Sequence, residues 1–457
     1  MAEQEGLVPE EVLSGEDELK YLDEKWGDRL REVINFDILH ILQPVNIAEQ
    51  KEKFLSGEIE NPEFDYGVDE KIDVDECEGR LLELKRDILK EEGNEIIKTL
   101  YRRRINTSLA SLRMMRAMKE GDDRRFYAYS EFLYGDTTKE EEELVRQEIF
   151  ATILKVYREA DSEETRNELK KVLESDYFQG LNEKDFESEE KEEATEKIEL
   201  DQGQLAELFK QVLSEYGWED SWDVKNIPDL VAIKVQRFGT DVPTIKIPEG
   251  KKVDIDQARK LIAHEIETHV LRAESGKKSK LKLLEIGLDR YLATEEGLAT
   301  YNQQNIYNEE KPGKQAGLWE MLSLAISKNH NFRETFEILR GLGLANTTKT
   351  IQGNLEEAKK RASNLAWDRT VRVFRGTNDM SSKEGYRYTK DIVYRRGNIA
   401  VWDFADTRKD EMKRLYVGKV GIQHLEMLWE LGIKEPAIEP RMIGKNIVDI
   451  EKLTRKR

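Results

Sequence analysis

His264 and His269 bracket Glu265 in the run His264-Glu265-Ile266-Glu267-Thr268-His269, and Thr294-Glu295-Glu296-Gly297-Leu298-Ala299 follows further along the chain. These residue types are the parts of a hydrolytic zinc site. Imidazole and carboxylate ligands hold the ion, and a carboxylate left free activates the attacking water. The chain has only five His, so two of them around one Glu stand out. In the ordinary zinc-protease helix the histidines are four residues apart and face the same way. Here they are five apart, and on an ideal α-helix five steps turn roughly 500°, leaving the rings about 140° apart. A single-residue π-bulge between His264 and His269 absorbs the extra residue. If both rings ligate one ion, the spacing predicts that distortion.

Glu265 stands where a general base is needed, able to take a proton from metal-bound water and pass it to a leaving amine. Glu296 is the expected third ligand, in an aliphatic setting beside Gly297 and Ala299, whose small side chains let helices approach closely. Glu295 points about 100° away on a helix and is expected behind the ligands, orienting them. The competing reading makes His264 and His269 a core and a surface histidine on an amphipathic helix.

The elements that must position these residues are mostly helical. Up to about residue 200 the pattern is helical and charged, with apolar residues at three- and four-residue spacing between Cys77 and Lys119 and a helix pair expected from Thr138 to Leu173. Glu187 to Glu199 is mostly Glu and Lys and reads as an exposed helix or linker. Val231 to Phe238 and Thr244 to Pro248 alternate like strands. Asp256 is a plausible N-cap for the helix carrying Ala263 to Arg272, and a second helix is expected from Lys282 to Asn305. Asp391 to Tyr394 and Ile399 to Trp402 suggest a hairpin across Arg395-Arg396-Gly397-Asn398. The expectation is an α+β, mainly α-helical fold with a small β-sheet. Residues 1–200 form a charged helical N-terminal region, and residues 201–457 the catalytic region with a mixed α/β C-terminal part.

Composition narrows the function classes. The 457 residues are 38% hydrophobic and 37% charged, with a net charge of −20. Such an acidic chain is not expected to bind nucleic acid, where affinity comes from Lys and Arg on phosphates. No apolar run approaches the roughly 20 residues that span a membrane, so no membrane partner is expected. Met1 to Gly15 is acidic and lacks the pattern of a signal peptide. The single cysteine, Cys77, excludes an intrachain disulfide and fits a reducing, cytoplasmic setting. Cys77 lies in an acidic stretch and is not a candidate nucleophile, and His40, His330 and His424 are expected to be structural.

The paired His-Glu-x-x-x-His and Glu-Gly-Leu-Ala motifs resemble those of the microtubule-associated tyrosine carboxypeptidase family, whose bacterial members carry a Gln-Glu-Gly-Leu-Ala motif and are described as flavohaemoglobin expression modulators. Phe132-Leu133-Tyr134-Gly135, Val373-Phe374-Arg375-Gly376 and Tyr388-Thr389-Lys390-Asp391-Ile392-Val393-Tyr394 extend the resemblance over most of the chain. It implies a gluzincin-like zinc metallopeptidase core with one Zn2+ per chain, held by His264, His269 and Glu296, with Glu265 as base. The implied activity removes the C-terminal residue of a peptide or protein; in the animal members that residue is the tyrosine of α-tubulin. Two positions depart from the family pattern: Glu267 replaces a usual Gly, and Glu295 replaces the bacterial Gln.

An exopeptidase acting at a C-terminus needs a cation for the free carboxylate. Arg272, Arg375 and Lys390 are the candidates, each with a structural ion pair or solvated charge as its competing role. Tyr388 or Tyr394 could donate to the tetrahedral oxyanion, with core packing as the alternative. The strand from Thr244 to Ile247 could pair with substrate backbone. Lys277, Lys278, Lys280 and Lys282 could attract an acidic tail, or form a solvated loop. A zinc-binding regulatory protein and a zinc endopeptidase or amidase would use the same ligand set.

Overall fold

A computed structural model describes residues 21–34, 38–67, 72–186, 199–228, 230, 232–238, 240–306, 316–350 and 354–441. The acidic stretch expected as a helix or linker lies outside the described residues from 187 to 198, as does the His40 side chain. The fold is mainly helical with two small sheets, an α+β arrangement.

Before residue 200 come α1 (Glu24–Val33), α2 (Ile47–Ser56), α3 (Val74–Glu91), α4 (Glu95–Lys119), α5 (Asp123–Tyr134), α6 (Lys139–Glu159) and α7 (Glu163–Leu173). Their starts follow local chemistry. Asp73, Asn94, Asp122 and Ser162 accept backbone N–H bonds as N-caps, and Thr138 with Glu141 forms a capping box. The apolar run from Cys77 to Lys119 is two helices, because Asn94 starts a new one. The expected pair after Thr138 is α6 and α7.

After residue 198 follow β1 (Glu199–Asp201), α8 (Gln202–Glu215), β2 (Asp223–Ile227), β3 (Lys234–Gln236), β4 (Thr244–Pro248) and β5 (Lys252–Asp254). β1 pairs antiparallel with β5, while β4 lies between a parallel β2 and an antiparallel β3. Of the strand expected from Val231 to Phe238, the described residues form Lys234–Gln236, and Val231 lies outside them. β4 has neighbours on both sides, so the expectation that Thr244 to Ile247 adds to substrate backbone does not hold; its hydrogen-bonding edges are taken.

β5 runs into α9 (Ile255–Leu261), a π-helical segment (Ile262–Val270) and α10 (Leu271–Lys277). The N-cap is Asp254, not Asp256: Asp254 and Gln257 form a reciprocal capping box where the strand ends. The helix expected from Lys282 to Asn305 is broken at Gly287 (φ 104°), and the long piece is α11 (Leu292–Asn305). Then come α12 (Leu318–Ser327), α13 (Phe332–Thr350), α14 (Leu355–Phe374) and α15 (Ile392–Thr407). α15 replaces the hairpin expected there. Ile392, Val393, Gly397, Val401, Phe404 and Ala405 are buried, a helical spacing.

Two hydrophobic cores result. One gathers α1, α3, α4, α8, the sheets and the α9–π–α10 helix; the other gathers α6, α7 and α12 to α14. Neither respects the boundary at residue 200. α11 crosses α15 closely and lies against the π segment, which brings the two motif regions together. No described helix is long and apolar enough to cross a membrane.

Candidate metal centre

The π segment does what the five-residue spacing demands. Its i→i+5 pattern is visible where the Leu271 N–H bonds the carbonyl of Ile266. Thr268 Oγ1 donates to Ala263 O at 2.8 Å, again five residues back. Asn302 Nδ2 on α11 donates to Thr268 Oγ1 and to Tyr416 Oη, both at 2.8 Å, tying the distorted turn to its neighbour. The wider turn brings the His264 and His269 rings together edge to face, with centroids 4.9 Å apart.

Both rings turn Nε2 toward one carboxylate. Glu296 Oε2 lies 3.9 Å from His264 Nε2 and 3.8 Å from His269 Nε2. Among the described residues, His264, His269 and Glu296 are the group of potential ligands whose donor atoms all lie within 4.8 Å of one another. Ligand atoms on a tetrahedral zinc, with bonds of about 2.0–2.2 Å, stand roughly 3.4 Å apart. The donors are therefore preset, slightly wider than a bound ion would hold them. Burial, with His269 alongside, pushes His264 down to about 3, so the ring is neutral and able to ligate. Burial opposes a charge on His269, but Glu295 and Glu296 outweigh it and raise its pKa. Two imidazole nitrogens and one carboxylate oxygen, with no thiolate, suit Zn2+.

Glu295 sits behind His269. Its Oε1 is 2.9 Å from His269 Nδ1, the carboxylate–histidine pattern that orients metal ligands. Its Oε2 accepts from Arg272 Nη1, and Lys419 Nζ lies 3.5 Å away. Burial works against the Glu295 charge, yet Lys419, Arg272 and His269 together hold its carboxyl far below the usual range.

Arg272 is wholly buried and its donors are engaged. Nε bonds Leu415 O (2.9 Å) and Gly418 O (3.0 Å), Nη2 bonds Val420 O (2.5 Å), and Nη1 holds Glu295. The expectation that Arg272 anchors a substrate carboxylate is corrected on that ground: it anchors Glu295 and the 415–420 loop. Glu267, the extra carboxylate of the motif, accepts from Tyr216 Oη at 2.9 Å. Tyr216 in turn stacks on Trp218 and accepts from the Arg441 N–H.

Glu265 is buried beside His264, and burial, reinforced by Glu296 against His269, pushes its carboxyl up to about 7. That value suits a group that must both accept and return a proton near neutrality.

The remaining candidates come from α14, α15 and the loop between them. Gly297 and Gly397 set the distance at which α15 passes α11. A Cβ on Gly297 would lie 2.1 Å from Gly397 O, and one on Gly397 would lie 1.8 Å from Ala293 O. This contact brings Lys390 and Tyr394 within electrostatic reach of Glu296. Lys390 is buried with Nζ 5.2 Å above the Tyr394 ring. Burial depresses its pKa, against the pull of Glu296 and Asp391. Arg375 lies over the Tyr388 ring at 5.1 Å, and Asp391 Oδ1 is 3.9 Å from Nη2. Tyr388 is packed in the core, its hydroxyl 3.3 Å from that of Tyr134. Of the two tyrosines, Tyr394 is the one on which the Glu296 charge acts.

The other expectations concern groups away from this centre. His330 Nδ1 meets Ile326 O at 2.7 Å, and buried His424 bonds Asp289 and the Gly421 N–H, both structural roles. Burial, then Glu76, pushes the Cys77 thiol up, the opposite of an activated nucleophile. Lys277 and Lys282 are paired with Glu274 and Asp28. Lys419 and Asn302, which support the centre, belong to no motif. Lys419 is remote in sequence, and only the packing of the 415–420 loop reveals it.

The chain matches the family model of the microtubule-associated tyrosine carboxypeptidases over residues 52–192, 179–346 and 351–456. It therefore belongs to that family, whose description is that of a carboxypeptidase, a hydrolase of C-terminal residues. No curated protein matches the chain.

Proposed function

We propose that the protein is a zinc-dependent metallocarboxypeptidase with a gluzincin-type ligand set. The observation that carries this reading is the convergence of His264 Nε2 and His269 Nε2 on Glu296 Oε2, with buried Glu265 adjacent. His264, His269 and Glu296 would hold a zinc ion, which when bound would supply Lewis acidity to the scissile carbonyl and to the attacking water. Glu265 takes the proton from that water and returns it to the leaving amine. Glu295, clamped by Arg272 and Lys419, fixes the tautomer and direction of His269. Tyr394 and Lys390, both within electrostatic reach of Glu296, are the groups proposed to stabilise the developing oxyanion. The family description points to a terminal tyrosine or another aromatic residue as the one released from a peptide or protein. A single half-buried cysteine fits a cytoplasmic setting.

Metal analysis of the purified protein tests this, with His264→Ala and Glu296→Gln alongside. About one zinc per chain, lost in both variants, is the expected result. Peptides with free or amidated C-termini then separate the activities. Loss of one terminal residue only from free ends supports the carboxypeptidase. Internal cuts point to an endopeptidase, and no Glu265-dependent cleavage to a regulatory zinc protein.

A further inference from the structure

Glu267 sits in the π segment, two residues after Glu265 and two before His269, and it is buried. A buried carboxylate is unfavourable unless donors meet it. Tyr216, the residue that closes α8, supplies one through Oη at 2.9 Å. Tyr216 is itself fixed by two contacts. Its ring stacks on buried Trp218, with centroids 4.4 Å apart and planes 8° from parallel. The Arg441 N–H donates to Oη at 2.8 Å, and the Arg441 guanidinium lies 4.8 Å from the ring centroid while its Nη1 donates to Glu215 O. An ionised carboxylate only accepts, so the phenolic proton points at Glu267 and the oxygen lone pair receives Arg441. Two hydrogen bonds in series thus run from Arg441 to the turn that carries His264 and His269.

Arg441 belongs to an anchored stretch. Ile433 is buried, Glu435 pairs with Lys413 at 2.8 Å, and Ile438 packs against the core that contains α8. Pro436 and Pro440 disfavour helical backbone in the residues before them. Residues 433–441 therefore form a strap whose far end rests on the close of α8. The turn it reaches needs holding, because a regular α-helix is its competitor and would separate the two histidine rings. Thr268 is tied to Asn302 of α11, and the adjacent Glu267 is tied to Tyr216 beside α8. Two neighbouring residues of the distorted turn are thus pinned to different elements, which fixes its rotation and with it the direction of His269.

We propose that Tyr216 is a positioning residue for the metal centre, holding the ligand-bearing turn through Glu267 and itself held by the strap at Arg441. The claim rests on the zinc reading of His264, His269 and Glu296 but concerns residues outside that ligand set.

Zinc affinity by chelator competition, and the visible spectrum of cobalt(II) placed in the site, test this apart from turnover. The cobalt bands follow ligand geometry, which a loss of stability alone does not move. Tyr216→Phe keeps the ring on Trp218 and removes both hydrogen bonds; zinc affinity should fall about 10-fold, with a shifted cobalt spectrum. Glu267→Gln keeps an acceptor for the tyrosine and should stay closer to wild type than Glu267→Ala, which should match Tyr216→Phe. In the double variant Tyr216→Phe/Glu267→Ala the two losses should not add. Arg441→Pro removes the N–H that meets Tyr216 and should shift the spectrum in the same direction. A Tyr216→Phe protein with unchanged zinc affinity and cobalt spectrum, whatever its Tm, overturns the positioning role and leaves the metal reading standing. A wild type that binds neither ion overturns the metal reading, and the positioning role falls with it.

Discussion

Replacing Arg272 with Lys distinguishes two roles for the same residue. As a substrate anchor it would tolerate Lys with a rise in KM and no change in stability. The structure gives it four acceptors instead: the carbonyls of Leu415, Gly418 and Val420, and Glu295 Oε2. A Lys ammonium keeps the charge for Glu295, yet its point-like donors cannot span the fork that reaches three carbonyls. Two buried carbonyls then lose their partners, at about 1–3 kcal/mol each, or roughly 2–6 kcal/mol in all. For 457 residues the entropy of unfolding is on the order of 1 kcal/mol per kelvin, so Tm should fall by about 2–6 °C. Glu295 also loses part of its clamp, and zinc affinity should fall about 10-fold or more through His269. Differential scanning fluorimetry and competitive zinc titration read both effects. An Arg272→Lys protein with unchanged Tm and zinc affinity, and a KM raised 10-fold, would refute the positioning role.

Other changes test neighbouring parts of the site. Glu295→Gln should weaken zinc about 10- to 100-fold with little loss of fold, measured by chelator competition. Gly297→Ala forces α11 and α15 apart by about 1 Å and costs about 1–3 kcal/mol. Its kcat should drop about 100-fold, beyond what stability explains, because Lys390 and Tyr394 move away from Glu296. In zinc-free protein the folded state holds the Glu265 proton more tightly than the unfolded chain, with a pKa of about 7 against an ordinary 4.5. The stabilisation from that proton is present below about 4.5 and is lost as pH rises toward 7. The stability of Glu265→Gln relative to wild type should therefore grow across that window, by about 3 kcal/mol at most. A flat difference in urea midpoints between pH 4.5 and 7 would show that Glu265 is not held in its protonated form.

Local chemistry was legible in the chain because it depends on neighbours a few residues apart. The five-residue gap between His264 and His269 required a π distortion before any fold was known, since a regular helix turns the rings apart. Capping was less legible: Asp256 stood out as an N-cap, but Asp254 with Gln257 holds that helix start, while Glu296 beside Gly297 marked the second motif-bearing helix. Where several readings share one local pattern, the chain misled. Ile392 to Trp402 alternates well enough for a hairpin, yet it is helical because the α11 crossing buries a helical stripe and needs Gly397 at the contact. Charge assignments were the least legible. Arg272 looked available three residues past a ligand, and only the 415–420 loop, folded back over more than a hundred residues of chain, consumes its donors. Sequence alone thus determined which groups are proposed to do the chemistry; tertiary structure decided which cations are spent on the scaffold, because long-range packing alone sets who reaches whom.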